Sequence, residues 1–493
     1  MKALQALQLD NRFAALGENY FSRVTPTPLP DARLLHFNEA AAALIDLDPA
    51  EAQNPAFTET MAGNRPLPGG DPLATLYAGH QFGSWVPQLG DGRAILLGQV
   101  RTPRGESWDL QLKGAGMTPY SRHADGRAVL RSSIREYLCG EAMHGLGIPT
   151  TRALCLVTSP QPVQRETVET AAVLCRMAPT HVRFGHFEVF YYREQYDRLK
   201  PLADHVIAEH FPALADSPDK YAAWLTEVTD RTARLMALWQ SVGFCHGVMN
   251  TDNMSILGLT LDYGPYGFMD GFNSRHICNH SDEGGRYAYD QQPGIGHWNI
   301  SKLLQACLPL LSEHPDAAVE RAQPMLERYR EVFVSANLAL WRAKLGLREA
   351  RDDDHLIING WLSLLDRTHA DFTRSFRLLS GVSTQAESAP ALRDFMPDPA
   401  GFDSWLADYR ARLKSESSND AERAARMNKV NPKYVLRNHL VQAAIEKAQT
   451  GDASEIDTLM KLLRKPFDEQ PENERYFAEP PASAKHIEVS CSS

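Results

Sequence analysis

The spacing of apolar residues changes character about halfway along the chain. "RAILLGQV" (93–100) is a compact apolar run, and "SWDLQLK" (107–113) alternates Trp108, Leu110 and Leu112 with Asp109, Gln111 and Lys113. A period of two predicts strands for both, with the turn-like "RTPRGE" between them. A helical pattern follows at about 133–144. Ser133 and Glu136, at capping-box spacing, predict its start, and "GLGIP" its end. "RALCLVTS" (152–159) and "TAAVLCRM" (170–177) predict two more strands around a polar loop. From about 218 the pattern turns helical, and "PDKYAAWLTEVTDRTARLMALWQSVGF" reads as one long amphipathic helix running into His246. Most of the remainder to about 465 reads as helix, and "EQPENERYFAEPPASAK" as an extended tail.

Composition narrows the class. A length of 493 residues with 43% hydrophobic content supports several domain-sized units around a real core. The 51 basic and 61 acidic side chains give a net charge of −10, which argues against nucleic acid or an anionic membrane as a bulk partner. No apolar run approaches a membrane span, and "MKALQALQLDNRFAALG" is too polar for a secretory signal. The expectation is a cytoplasmic monomer. Seven cysteines are scattered with no C-x-x-C pair. Cys491, near the end, is the accessible one by position. "HICNH" (276–280) offers three ligand types, but so tight a spacing closes a zinc tetrahedron poorly.

The sharpest signal is "HGVMNTDNMSILGLTLDYG" (246–264). A protein-kinase catalytic loop reads H-R-D-L-x-x-x-N and is followed by D-F-G. Here His246 and Asn253 hold the loop's spacing, and Asp262-Tyr263-Gly264 stands for D-F-G, yet the position of the catalytic Asp is Val248. The apolar run "SILGLTLD" puts Asp262 at a strand end, from which it and Asn253 offer hard oxygens suited to Mg²⁺ or Mn²⁺. Upstream, Gly90 and Gly92 in "QLGDGR" allow backbone N–H groups to approach phosphates, with Arg93 adding charge. Lys113 can reach a nucleotide, with Glu136 on the helix as its ion-pair partner. Arg176 and Arg183 are further cations, more than transfer of a terminal phosphoryl group needs.

These elements and motifs imply an α+β, protein-kinase-like two-lobed fold. Residues 1–70 read as an extension packed on the core, 71–180 as the nucleotide-binding N-lobe and 181–370 as the C-lobe with the catalytic and metal loops. Residues 371–493 read as a helical region and tail.

"GDGR", "LQLKGAG", "YSRHADGRAVLRSSIREYL", "HGVMNTDNMSILGLTLDYGPYGFMD", "HICNHSDEGGRY" and the terminal "CSS" together resemble the selenoprotein O (YdiU) family of pseudokinases, over nearly the whole chain. The resemblance implies transfer of AMP from ATP to Ser, Thr or Tyr hydroxyls of other proteins, with ATP flipped so that its α-phosphate meets the nucleophile. It puts nucleotide contacts on Gly90, Gly92, Arg93, Lys113, Asp125, Gly126, Arg176 and Arg183, metal ligands on Asn253 and Asp262, and the proton acceptor on Asp252. With the nucleotide flipped, a base at position 248 would face the wrong phosphorus. Eukaryotic members carry selenocysteine where this chain has Cys491, which implies a redox disulfide from Cys491 to Cys278. UMP transfer is a variant of the same chemistry. The competing readings are an ordinary kinase-fold phosphotransferase and an inactive nucleotide-binding scaffold.

Overall fold

The computed structural model describes residues 1–385 and 389–489. Its first half is organised around one antiparallel sheet. The strands are β1 (Phe21–Arg23), β2 (Arg33–Phe37), β3 (Leu73–Thr75), β4 (Gly79–Gln81), β5 (Ser84–Val86), β6 (Ala94–Arg101), β7 (Ser107–Lys113), β8 (Ala128–Val129), β9 (Arg152–Gln164) and β10 (Val168–Ala178). The sheet runs β1-β3-β6-β7-β10-β9-β2 with β8 on β10, while β4 and β5 form a separate hairpin. Both edge strands thus come from the first seventy residues, whose two short helices α1 (Glu39–Leu44) and α2 (Pro55–Met61) cover one face.

α3 (Leu130–Gly145) covers the other face and ties it to the helical half through Tyr137, Leu138 and Met143. It begins three residues earlier than expected. Ser133 and Glu136 are buried inside it, and its N-cap, Val129, makes no side-chain cap. The reason is that β8 feeds the helix directly, so the capping-box spacing of Ser133 and Glu136 is coincidental.

The helical half opens with α4 (Gly185–Tyr192), α5 (Leu199–His210) and α6 (Lys220–Ser241), the last close to the expected long helix. α7 (Gln292–Leu311) and α8 (Pro315–Lys344) pack on α6. Seven further helices lie between Asp354 and Leu463 among the described residues; the first five share a core that includes Trp361, Phe376 and Phe402, while the last two pack on α3. A sheet-rich lobe followed by a helical one is the protein-kinase-like architecture.

Two expectations need correction. "SILGLTLD" is not a strand. Gly258 takes a left-handed φ of +70°, and only isolated bridges, Ser255 to Arg183 and Thr260 to Thr150, hold the run. Residues 469–485 are not an extended tail either. Lys433 is buried and draws in Glu469 and Glu474, and buried Tyr476 donates its hydroxyl to Glu455 at 2.7 Å. Further on, the Val489 carbonyl accepts from the His280 N–H at 2.9 Å. No helix among the described residues is long and apolar enough to cross a membrane.

Candidate active site

A cleft of about 660 Å³ opens between the sheet and the helices. Gly90, Gly92, Arg93, Lys113, Asp125, Gly126, Arg176, Arg183, Asp252, Asn253 and Asp262 all line it. Eleven residues spread over 173 positions of sequence therefore meet at one place.

The alternation that predicted β7 does not leave its polar face in water; both faces are buried. Asp109 accepts from Gln99, Gln111 stands opposite Arg176 in the ladder with β10, and Lys113 reaches across to Glu136 at 2.5 Å. Glu136 holds Arg176 with its other oxygen, also at 2.5 Å. One carboxylate from α3 thus carries two cations at the floor of the cleft. Burial, reinforced by Arg176, brings the Lys113 ammonium down to about 8. For Glu136 burial works in the opposite sense, and Arg176 and Lys113 overcome it to hold the carboxyl below its usual range.

Asp262 receives Arg176 at 2.6 Å on one oxygen and Arg183 on the other. Burial alone would raise this carboxyl, but Arg183, Arg176 and Lys113 keep it well below the ordinary value. Its backbone is left-handed, with φ +58°, a conformation that Asp tolerates better than most residues but that needs surrounding structure to persist. His246 supplies part of that structure. Its ring stacks on Trp239 and its Nε2 donates to the Leu261 carbonyl at 2.9 Å, fastening the loop that begins at His246 to the residue before Asp262.

Asp252 and Asn253 sit in a short 3-10 turn, Thr251–Asn253. The Asn253 amide N–H donates to the Val248 carbonyl at 3.0 Å, which turns its oxygen the other way. Arg183 donates to the Asp252 carbonyl at 2.9 Å, and Gln81 donates to Asp252 Oδ2 at 3.2 Å. Asp252 Oδ1 is buried and has no partner. Burial raises the Asp252 carboxyl to about 7. Two carboxylates in one cleft are therefore pushed in opposite directions.

The glycine loop is anchored from behind. Asp91 accepts from the Thr75 N–H at 2.9 Å and its hydroxyl at 2.6 Å, so Gly90 and Gly92 straddle a buried carboxylate. Gly90 has φ +118°, and a Cβ there would come within 2.6 Å of the Tyr120 ring. Asp125 is committed to Arg165 at 2.9 Å, which lowers its pKa. Arg93 is exposed at the cleft edge. Gln81, Asp91, Arg122, Arg127 and Arg165 line the cleft without having been singled out in the sequence. Gln81 carried no motif, Arg122 and Arg127 stood in "YSRHADGRAVLRSSIREYL" without a spacing that assigned them, and Arg165 lay in the polar loop between two expected strands.

Outside the cleft wall, Cys278 donates to the Cys245 carbonyl at 3.3 Å and burial pushes its thiol up. Cys491 lies outside the described residues. Among the described residues no group of three or more His, Cys, Asp and Glu side chains is disposed to hold a metal ion.

The fold and the site define a kinase-like protein with a strongly cationic cleft and no carboxylate at the usual kinase base position. The chain belongs to the protein adenylyltransferase SelO family, whose model matches residues 3–464. It is similar to a protein nucleotidyltransferase YdiU of Methylococcus capsulatus, 58% identical over 494 residues, spanning 100% of this chain and 98% of the relative. Namesakes from Myxococcus xanthus and Thiobacillus denitrificans are each 56% identical over 495 residues, with 100% of both chains covered.

Proposed function

We propose that the protein transfers AMP from ATP to Ser, Thr or Tyr hydroxyls of other proteins and releases pyrophosphate. The observation that carries this reading is the unpartnered, buried Oδ1 of Asp252, in the same cleft as Lys113, Arg176 and Arg183 while position 248 presents Val. In the step, the acceptor oxygen forms a bond to the α-phosphorus, the bond from that phosphorus to the bridging oxygen breaks, and the hydroxyl proton passes to Asp252. Lys113, Arg176 and Arg183 stabilise the charge that builds on the departing pyrophosphate.

Asn253 and Asp262 would hold Mg²⁺ or Mn²⁺. An amide and a carboxylate are hard donors, and a site short of three carboxylates suits an ion that arrives with waters and substrate phosphates. The metal's contribution is neutralisation of phosphate charge. Asp262, which pairs with Arg176 and Arg183, would supply the carboxylate donor and Asn253 the amide oxygen.

Regulation through a Cys278–Cys491 disulfide belongs to the same reading. It is supported by the Val489 carbonyl bonded beside Cys278, at His280. Peptide mapping of oxidised protein should find the cross-link and reductant should raise activity; two alkylatable thiols and indifference to reductant would end the idea.

The decisive test incubates the protein with α-³²P-ATP or γ-³²P-ATP and either metal. Label on protein from the α position alone supports AMP transfer. Label from γ alone means a kinase, and none from either means a scaffold. Substituting α-³²P-UTP tests UMP transfer.

A further inference from the structure

The β4–β5 hairpin, in "AGHQFGSWV", belongs to the N-terminal half yet is attached to the catalytic loop almost residue by residue. The His80 N–H donates to Thr251 Oγ1 at 2.7 Å, Gln81 Nε2 donates to Asp252 Oδ2 at 3.2 Å, and the Phe82 N–H donates to Asn250 Oδ1 at 3.2 Å. Thr251 is fixed in turn on Glu188 of α4 at 2.9 Å, and Asn250 on the Tyr287 hydroxyl at 2.6 Å. Gly79 lies so close that a Cβ there would be 2.8 Å from Asp252 Oδ1. Behind the hairpin, His80 packs against Trp85, Tyr192 and Trp298, which makes the strut stiff.

We infer that Gln81 is a positioning residue for group transfer, fixing the rotation of the Asp252 carboxylate through Oδ2 so that the group is held ready to take the proton of the incoming hydroxyl. This rests on the reading of Asp252 as proton acceptor. Among the described residues Gln81 is the one side chain seen to donate to that carboxylate, and the oxygen it leaves free is the buried Oδ1. Arg183 already touches the Asp252 backbone. Without the Gln81 amide the carboxylate is free to swing towards that guanidinium, where an ion pair would occupy it. Gln81 is thus a tether that keeps a base away from a neighbouring cation.

Gln81→Met keeps length and apolar bulk but removes the donor. Its kcat for α-label transfer should fall about 10- to 100-fold, the equivalent of one hydrogen bond to a charged group. Its ATP affinity by calorimetry, KM for ATP and thermal unfolding should stay within error of the unsubstituted protein. Gln81→Glu should be no better than Gln81→Met, because it offers a second carboxylate where a donor was. A role in packing alone predicts the reverse, with Gln81→Met fully active. Gln81→Leu removes the same donor with a different apolar shape and should show the same loss of kcat at constant ATP affinity, so it carries the test if Gln81→Met does not fold. Gln81→Met transferring label within twofold of the unsubstituted rate overturns the inference while leaving the reading of Asp252 standing. Failure of the unsubstituted protein to transfer α-label overturns both.

Discussion

Asp252 and Asp262 share one cleft, and their surroundings sort them into different tasks. Asp252 is buried with one oxygen unpartnered and titrates near 7, whereas Asp262 is surrounded by guanidinium groups and stays ionised. Environments that drive two carboxyls apart mark one for proton transfer and the other for charge. Asp252→Asn should therefore cut the transfer rate by about 10²- to 10⁴-fold, the usual worth of a general base, with ATP affinity by calorimetry retained. Loss of ATP binding along with activity would assign Asp252 to the nucleotide instead. On the proposed role of Asp262 as a metal ligand, Asp262→Ala should abolish transfer, and it has a second consequence. Arg176 and Arg183 would be left buried with one counter-charge fewer, so stability in urea should fall by about 3–5 kcal/mol. Normal transfer by this variant would remove the kinase-like site from consideration.

At the scale of elements, α3 carries two buried carboxylates that make the difference between site and scaffold measurable. Glu136 serves Lys113 and Arg176 in the cleft, while Glu141, a turn and a half further on, pairs with Arg152 of β9 at 2.5 Å, away from the cleft lining. Glu141→Gln and Glu136→Gln should each lower stability by about 3–5 kcal/mol, because each leaves a buried cation unmatched. Only Glu136→Gln should also weaken ATP binding in calorimetry; equal nucleotide affinity in both variants would refute the assignment. These elements also show what was legible beforehand. Lys113, Asn253 and Asp262 stood out because strand period and loop spacing are local properties of a chain. The start of α3 was misread because Ser133 and Glu136 imitate a local cap, and Glu136 is needed instead by residues 23 and 40 positions away. The run before Asp262 was misread because apolar content does not reveal Gly258 turning the backbone. Gln81 was invisible, since its partner is 171 residues away and nothing in "GHQFG" has a period.

At the scale of the whole molecule, the seam between sheet and helices is lined with buried and half-buried histidines. His181 pairs with Asp109 of β7 at 3.0 Å, His186 begins the helical half in α4, and His205 and His210 project from α5. The Nε2 atoms of all four are buried without a partner. Burial lowers His186 to about 3 and His210 to about 4, with Arg183 acting further on His186, while Asp109 and Glu209 only partly oppose the effect at His210. Arg12 and Arg101, which hold Glu209, add positive charge on the same side. Unfolded, these histidines titrate at their ordinary 6.5. Below that pH the unfolded chain binds protons that the folded one refuses, so stability is full above about 6.5 and falls as pH drops towards 4, with a limiting slope of about 1.4 kcal/mol per pH unit per histidine. Paired carboxylates such as Asp262 and Glu136 have lowered values and so add their loss at more acid pH, below the histidine window. Urea unfolding at a series of pH values should therefore show a decline beginning near pH 6.5, and His210→Gln should make it shallower. A free energy of unfolding that stays flat from pH 6.5 to 4.5, or a His210→Gln profile parallel to that of the unsubstituted protein, would mean that water or a displaced side chain already solvates these rings.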